Sequence, residues 1–170
     1  MEKTRYRTEI PDEVKRFIEE FVNRYDLTEM DYIRFGKSQT DKCSGRCFYP
    51  ISTRKANKWK HRGLKKREKF HITCTIPNEV SRISLELEDE CFRYVGEWQE
   101  LKAGERYPKP VEGSVINPNI KTRDELIIIL LGHEMYHFLR KTKQVEGRNT
   151  QNKANKFGID ILNEWRQRCQ

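Results

Sequence analysis

Six consecutive aliphatic residues, Leu126 to Leu131, are followed after Gly132 by His133-Glu134-Met135-Tyr136-His137. Thr122 and Glu125 precede them as T-x-x-E, in which the hydroxyl caps the first turn and the carboxylate returns to the cap amide. A helix therefore starts at about residue 123. It is apolar around most of its circumference, which predicts a central helix packed on several sides. Imidazoles placed on such a helix are costly unless something compensates them.

His133 and His137 stand one helical turn apart on one face, so both rings can reach a single ion at about 2.0 to 2.1 Å from each nitrogen. Glu134 is displaced by about 100° around the axis. It cannot easily bind the same ion, but it reaches a water that the ion holds. H-E-x-x-H on a helix suits this chemistry, because Zn²⁺ brings the pKa of such a water toward ~7 and polarises a carbonyl, leaving a carboxylate base to complete amide hydrolysis. The competing reading is a pair of core histidines satisfied by hydrogen bonds. Against it stands the concentration of half of the chain's four histidines in the motif, on its most apolar helix.

A tetrahedral catalytic site needs a third protein ligand. Asn149 or Thr150 can cap a last helix whose Ala154, Phe157, Gly158, Ile161, Leu162 and Trp165 share a face. Gln151 lies on that stripe and points toward the metal from the first turn, although a neutral amide is a poor zinc ligand. Asp160 falls on the opposite side, toward solvent. Glu146, in the loop before this helix, is the alternative third ligand. The plain readings are a polar residue near a helix start for Gln151 and a solvated loop acid for Glu146.

Upstream, Pro11 to Tyr25 carries Val14, Phe17, Ile18, Phe21 and Val22 at spacings of three and four, an amphipathic N-terminal helix over about residues 11 to 25. Met30 to Phe35, Arg46 to Ile51 and Phe70 to Ile76 are short aromatic and β-branched segments set off by Gly and Pro, and read as strands of a small twisted sheet. Cys91 to Trp98 and the segment ending at Val115-Ile116 are candidates for one or two more strands, with a loop over Lys102 to Gly113. The 170 residues suit one α+β domain. The N-terminus has no apolar signal region and no apolar run is long enough to span a bilayer, so the expectation is a cytoplasmic chain with no membrane partner and its five cysteines as free thiols.

The run His133 to His137, followed by Ala154-Asn155-Lys156-Phe157-Gly158-Ile159-Asp160-Ile161-Leu162, resembles the zincin metallopeptidases of the ImmA/IrrE type. There an H-E-x-x-H helix precedes a helix of the form E-x-x-A-[ND]-x-F-A-x-x-L-L. The preceding helix and short strands, Gly45-Arg46-Cys47-Phe48-Tyr49 among them, also look like the minimal zincin core of SprT-like proteins. The resemblance covers mainly residues 120 to 165 and implies a minimal zincin-like domain over residues 1 to 170. It makes His133 and His137 zinc ligands and Glu134 the catalytic base. Its third ligand, a Glu, falls on Gln151, a departure that implies weaker zinc binding, recruitment of Glu146 or water, or lost turnover.

With 34 Lys and Arg against 26 Asp and Glu, the net charge is +8, and the chain is drawn toward polyanions or acidic partners. Nine basic residues fall between Arg54 and Lys69, with Trp59 and His61 interleaved and Glu68 the lone acid. This basic insertion, about residues 53 to 69, reads either as a solvated loop between strands or as a nucleic-acid contact through Lys58, Trp59, Lys65, Lys66 and Arg67. Cys43, Cys47 and Cys74 lack the spacing of a zinc knuckle and read as strand-associated thiols, and His71 reads as structural. The leading expectation is a zinc-dependent metallopeptidase acting on a protein or peptide substrate. The second is a zincin-like binding module with weak or no turnover, associated with nucleic acid through the basic loop.

Overall fold

The structure, a computed structural model, describes residues 3–52, 54–55 and 67–170. The fold is mixed α+β. Strands β1 (Thr4–Arg7), β2 (Met30–Lys37), β3 (Ser44–Phe48) and β4 (Phe70–Ile76) form a sheet in the order β1-β2-β4-β3. β1, β2 and β4 run parallel, and β3 closes one edge antiparallel to β4. Helix α1 (Asp12–Val22) connects the first two strands, and α2 (Arg82–Cys91) follows β4. A second, two-stranded sheet pairs β5 (Tyr94–Val95) with β6 (Val115–Ile116). Helices α3 (Arg123–Lys141) and α4 (Gln151–Arg168) complete the chain. Among the described residues, no helix is long and apolar enough to cross a membrane.

α3 is buried from Glu125 through Leu139, packed against β3 and β4 on one side and α4 on the other. Thr122 caps it as the sequence predicts, its hydroxyl accepting from the Glu125 amide, but the return bond goes to the Lys121 amide rather than to Thr122. Glu125 is instead held by the guanidinium of Arg166 through paired bonds of 2.8 and 2.9 Å. Arg166 also donates to the carbonyls of Pro118 and Asn119, so α4 fastens the loop that leads into α3.

α3 and α4 cross at two glycines. A Cβ on Gly132 would lie 2.9 Å from the Gly158 Cα, and one on Gly158 would lie 2.8 Å from the Ile129 carbonyl oxygen. At that separation the first turn of α4 is brought level with the histidines.

The boundaries depart from the sequence reading where tertiary pairing decides them. α1 ends at Val22 with Asn23 as its cap rather than continuing to Tyr25. β3 begins at Ser44 and ends at Phe48, and Ile51 pairs only with Arg67 in an isolated bridge. Cys91 ends a helix instead of opening a strand, and β5 is confined to Tyr94 and Val95. β1 and α2 have no counterpart among the expected elements. β1 is a T-R-Y-R segment stabilised by its parallel register on β2, and α2 has no fully buried residue.

Two outcomes follow. Gly158→Ala should lower stability by roughly 1–2 kcal/mol, or about 2–8 °C in Tm, because the clash with Ile129 outweighs the gain in helix propensity; a thermal melt reads this directly. Burial raises the Glu125 carboxyl, but the Arg166 fork and the Lys121 amide outweigh it and hold it below its ordinary value of 4.5. A depressed carboxyl stabilises the fold above its unfolded pKa and loses that contribution as pH falls through the folded one. The stability difference between wild type and Arg166→Met should therefore be full at neutral pH and shrink in titrations carried below about 4.5.

Candidate metal centre

His133, Glu134 and His137 lie under the mouth of a cleft of about 390 Å³ walled by β3, the end of α2 and the start of α4. All three are nearly closed off from solvent, at 8, 7 and 8% exposure. The two imidazoles face one another, with Nε2 of His133 and Nε2 of His137 3.2 Å apart.

What fixes the rings is a set of asparagines. The Nδ2 of Asn155 donates to the backbone carbonyls of Cys91 (3.1 Å) and Arg93 (2.8 Å), which pins the end of α2 to α4. Its Oδ1 is thereby aimed at Nδ1 of His133, 2.8 Å away. An amide oxygen only accepts, so Nδ1 of His133 carries the proton. On the other ring, Nδ1 of His137 donates to Oδ1 of Asn149 at 2.6 Å, and Asn149 donates in turn to the Tyr49 hydroxyl at 3.2 Å. Asn152, between them, clasps both backbone groups of Val95 at 2.8 Å.

With each Nδ1 donating to an asparagine oxygen, the two Nε2 atoms face each other. Two nitrogens on one tetrahedral zinc stand about 3.3 Å apart, a separation the rings match and one that a ring-to-ring hydrogen bond also gives. Burial holds His133 down at about 4, with His137 lowering it further and hydrogen bonds to Asn155 and Gln151 raising it, so the ring is neutral at physiological pH as a ligand must be.

Glu134 is set beside this pair, against the backbone of β3. A Cβ on Gly45 would fall 2.6 Å from Glu134 Oε1 and 2.7 Å from Leu130 Cδ1, so the carboxylate occupies space that any other residue at 45 would fill. Burial raises its carboxyl to about 7, offset in part by the Cys47 backbone amide and the charge of Arg46.

Gln151 lines the same cleft, close enough to His133 to raise its pKa. Glu146 does not join the group. The loop turns at Gly147, with φ at 104°, and the Tyr136 hydroxyl holds the Arg148 carbonyl at 3.0 Å. This turn sends Asn149 to His137 and leaves Glu146 on a separate surface hollow with Lys153 and Phe157. Accordingly, among the described residues no three His, Cys, Asp or Glu side chains gather closely enough to hold a metal. The two imidazoles are donors of the type zinc takes, and Gln151 lines the cleft beside them.

The thiols are free, and burial pushes the Cys43, Cys47 and Cys74 groups up, Cys47 to about 12. Asp160 is exposed and paired with Lys156. Lys58, Trp59, Lys65 and Lys66 lie outside the described residues, whereas Arg67 packs over the Phe48 ring. Sequence reasoning named neither Asn149 nor Asn155 as support for the histidines. The signal is present, since Asn155 occupies the [ND] position of the helix pattern and Asn149 is one of two cap candidates.

No protein-family model, curated protein or solved structure matches the chain. The site's own geometry is what bears on function. Asn155→Ala should free the His133 ring and reduce zinc affinity by about 10–100-fold, measured by competition with a chromophoric chelator, while Asp160→Ala leaves it unchanged.

Proposed function

We propose that this chain is a zinc-dependent metallopeptidase with a zincin-like core, hydrolysing peptide bonds in a protein or peptide substrate. The observation that carries the reading is the facing pair of Nε2 atoms, each ring held at Nδ1 by an asparagine oxygen, with a buried carboxylate alongside. His133 and His137 would hold the ion, with Gln151 or solvent completing its surroundings. A zinc ion held there supplies a Lewis acid for the scissile carbonyl and acidifies water.

The chain's own residues supply the rest. Glu134, a buried carboxylate beside the pair, takes a proton from the attacking water and delivers it to the leaving amine. Gly45 leaves room for that carboxylate, and Phe92 packs edge-on to His133 to close one side of the cleft. β3 is an edge strand of the sheet and borders the cleft, so apart from the Cys47 amide, which serves Glu134, its outer side is placed to pair with an extended peptide. That supports a polypeptide over a small molecule as the substrate.

A second reading, a zinc-holding binding module without turnover, is favoured by Gln151. It leaves the dication without an anionic protein ligand. Cleavage of a denatured protein substrate, followed alongside zinc content, separates the two. Glu134→Gln should cut hydrolysis by at least about 10²-fold and leave zinc stoichiometry intact. Gln151→Glu should tighten zinc by about tenfold or more through the added charge. Protein that takes up no zinc at micromolar concentration would sink both readings; bound zinc with no cleavage by wild type leaves the module.

A further inference from the structure

Helix α3 packs on β3 and β4, over the buried alternate positions Ile33, Phe35, Ile72 and Cys74 of β2 and β4. The positions between them, half-buried or exposed, carry a pile of rings. Across the strands, Tyr32 stacks on His71 with ring centres 4.8 Å apart and planes 18° apart, and His71 stacks on Phe48 at 4.4 Å and 27°. Arginines close both ends: the Arg5 guanidinium lies 4.4 Å over Tyr32, and the Arg67 guanidinium lies 4.8 Å over Phe48.

Beside this row runs a second one, set by register: Arg5 beside Arg34, Arg34 beside Thr73, and Thr73 beside Arg46. Arg5, Arg34 and Arg46 are exposed, and none of them forms an ion pair among the described residues. Like charges on neighbouring strands destabilise a sheet, so gathering them without acids costs stability that a bound polyanion offsets. Asp31 and Glu68 border the end where Arg67 lies, Asp31 also acts on His71, and Glu134 lies within reach of the Arg46 charge across the cleft.

We propose that this outer sheet face binds single-stranded nucleic acid, its arginines taking the phosphates and unpaired bases extending the Arg5–Tyr32–His71–Phe48–Arg67 pile. Phosphate alone would require only charge. The stacked rings add a second recognition element, because aromatic and guanidinium groups gathered on one face can take a base, and unstacked bases are available in single strands but not in duplexes. Contact with Tyr32 and Phe48 also restrains the Arg5 and Arg67 side chains before the ligand arrives, which reduces the ordering cost of binding. Arg5, Arg34 and the ring pile lie away from the imidazoles and Glu134, whereas Arg46 also borders the cleft and acts on the Glu134 carboxyl.

Fluorescence anisotropy of the full chain tests it, with labelled oligo-U and oligo-dT of about 15 nucleotides, an oligo-dT:oligo-dA duplex, and polyglutamate of matched charge. One or both single strands should bind, more tightly than duplex, and weaken tenfold or more between about 50 and 200 mM salt. Arg5→Ala with Arg34→Ala should lower affinity at least about tenfold and flatten the salt dependence by about one ion per arginine. Tyr32→Leu should weaken binding roughly fivefold or more with the salt dependence unchanged, and Arg5→Lys, which keeps charge and loses the plane, should do likewise. Failure of both single strands to bind at low salt overturns the proposal. So does equal affinity for polyglutamate, which would make the face a dock for acidic protein, or wild-type affinity in the double arginine variant, which would move the contact elsewhere on the chain.

Discussion

The close crossing of α3 and α4 governs the rest of this molecule. Two glycines, Gly132 and Gly158, let the backbones meet at a distance that a methyl group on either helix would prevent. Because α4 is a rigid lever, that one contact sets where its first turn falls. Asn152 and Asn155 then reach the end of α2 and β5, and Asn155 turns its remaining oxygen to His133. At the far end, Arg166 anchors the entry to α3 through Glu125 and two loop carbonyls. The polar interior of the cleft is thus a consequence of helix packing rather than an addition to it. A small change in crossing distance would displace the hydrogen-bond partners before it disturbed the hydrophobic core.

How much of the fold is legible in the sequence depends on whether an element's signal is local. α3 announces its own start through Thr122 and its burial through Leu126 to Leu131, and β4 alternates buried and half-exposed positions over Phe-His-Ile-Thr-Cys-Thr-Ile. β1 does neither. Its four residues carry two arginines, and it exists as a strand because its backbone pairs with β2, a partner that lies far along the chain. α2 leaves Ile83 and Leu87 in solvent, so its apolar residues do not mark a buried face, and its end is set by the contact with Asn155. Periodicity detects elements that bury one side and is silent about those stabilised by backbone pairing or by a single polar clasp.

The site divides in the same way. The spacing of His133 and His137 is a helical invariant, so their shared face is readable from sequence. Which nitrogen each ring offers is not, because tautomer depends on residues that reach the rings only after the chain has folded. Asn149 looked like one of two candidate caps; Thr150 took that role and released Asn149 for His137. Glu146 had the better chemistry for a third ligand, yet the turn at Gly147 points it elsewhere. Ligand quality can be judged from residue type, whereas ligand position is decided by loop geometry, and here the two disagree.

The sheet separates the two activities proposed for this chain by the period-two alternation of its strands. In β2 and β4, Ile33, Phe35, Ile72 and Cys74 build the core under α3, while Tyr32, Arg34, His71 and Thr73 build the outer face. A substitution on one face leaves the other's side chains in place. β3 is the exception, because Gly45 and Cys47 meet Glu134 across the cleft while Arg46 between them belongs to the outer arginine row. A strand of nucleic acid lying along that row would end beside the edge at which an extended peptide would add.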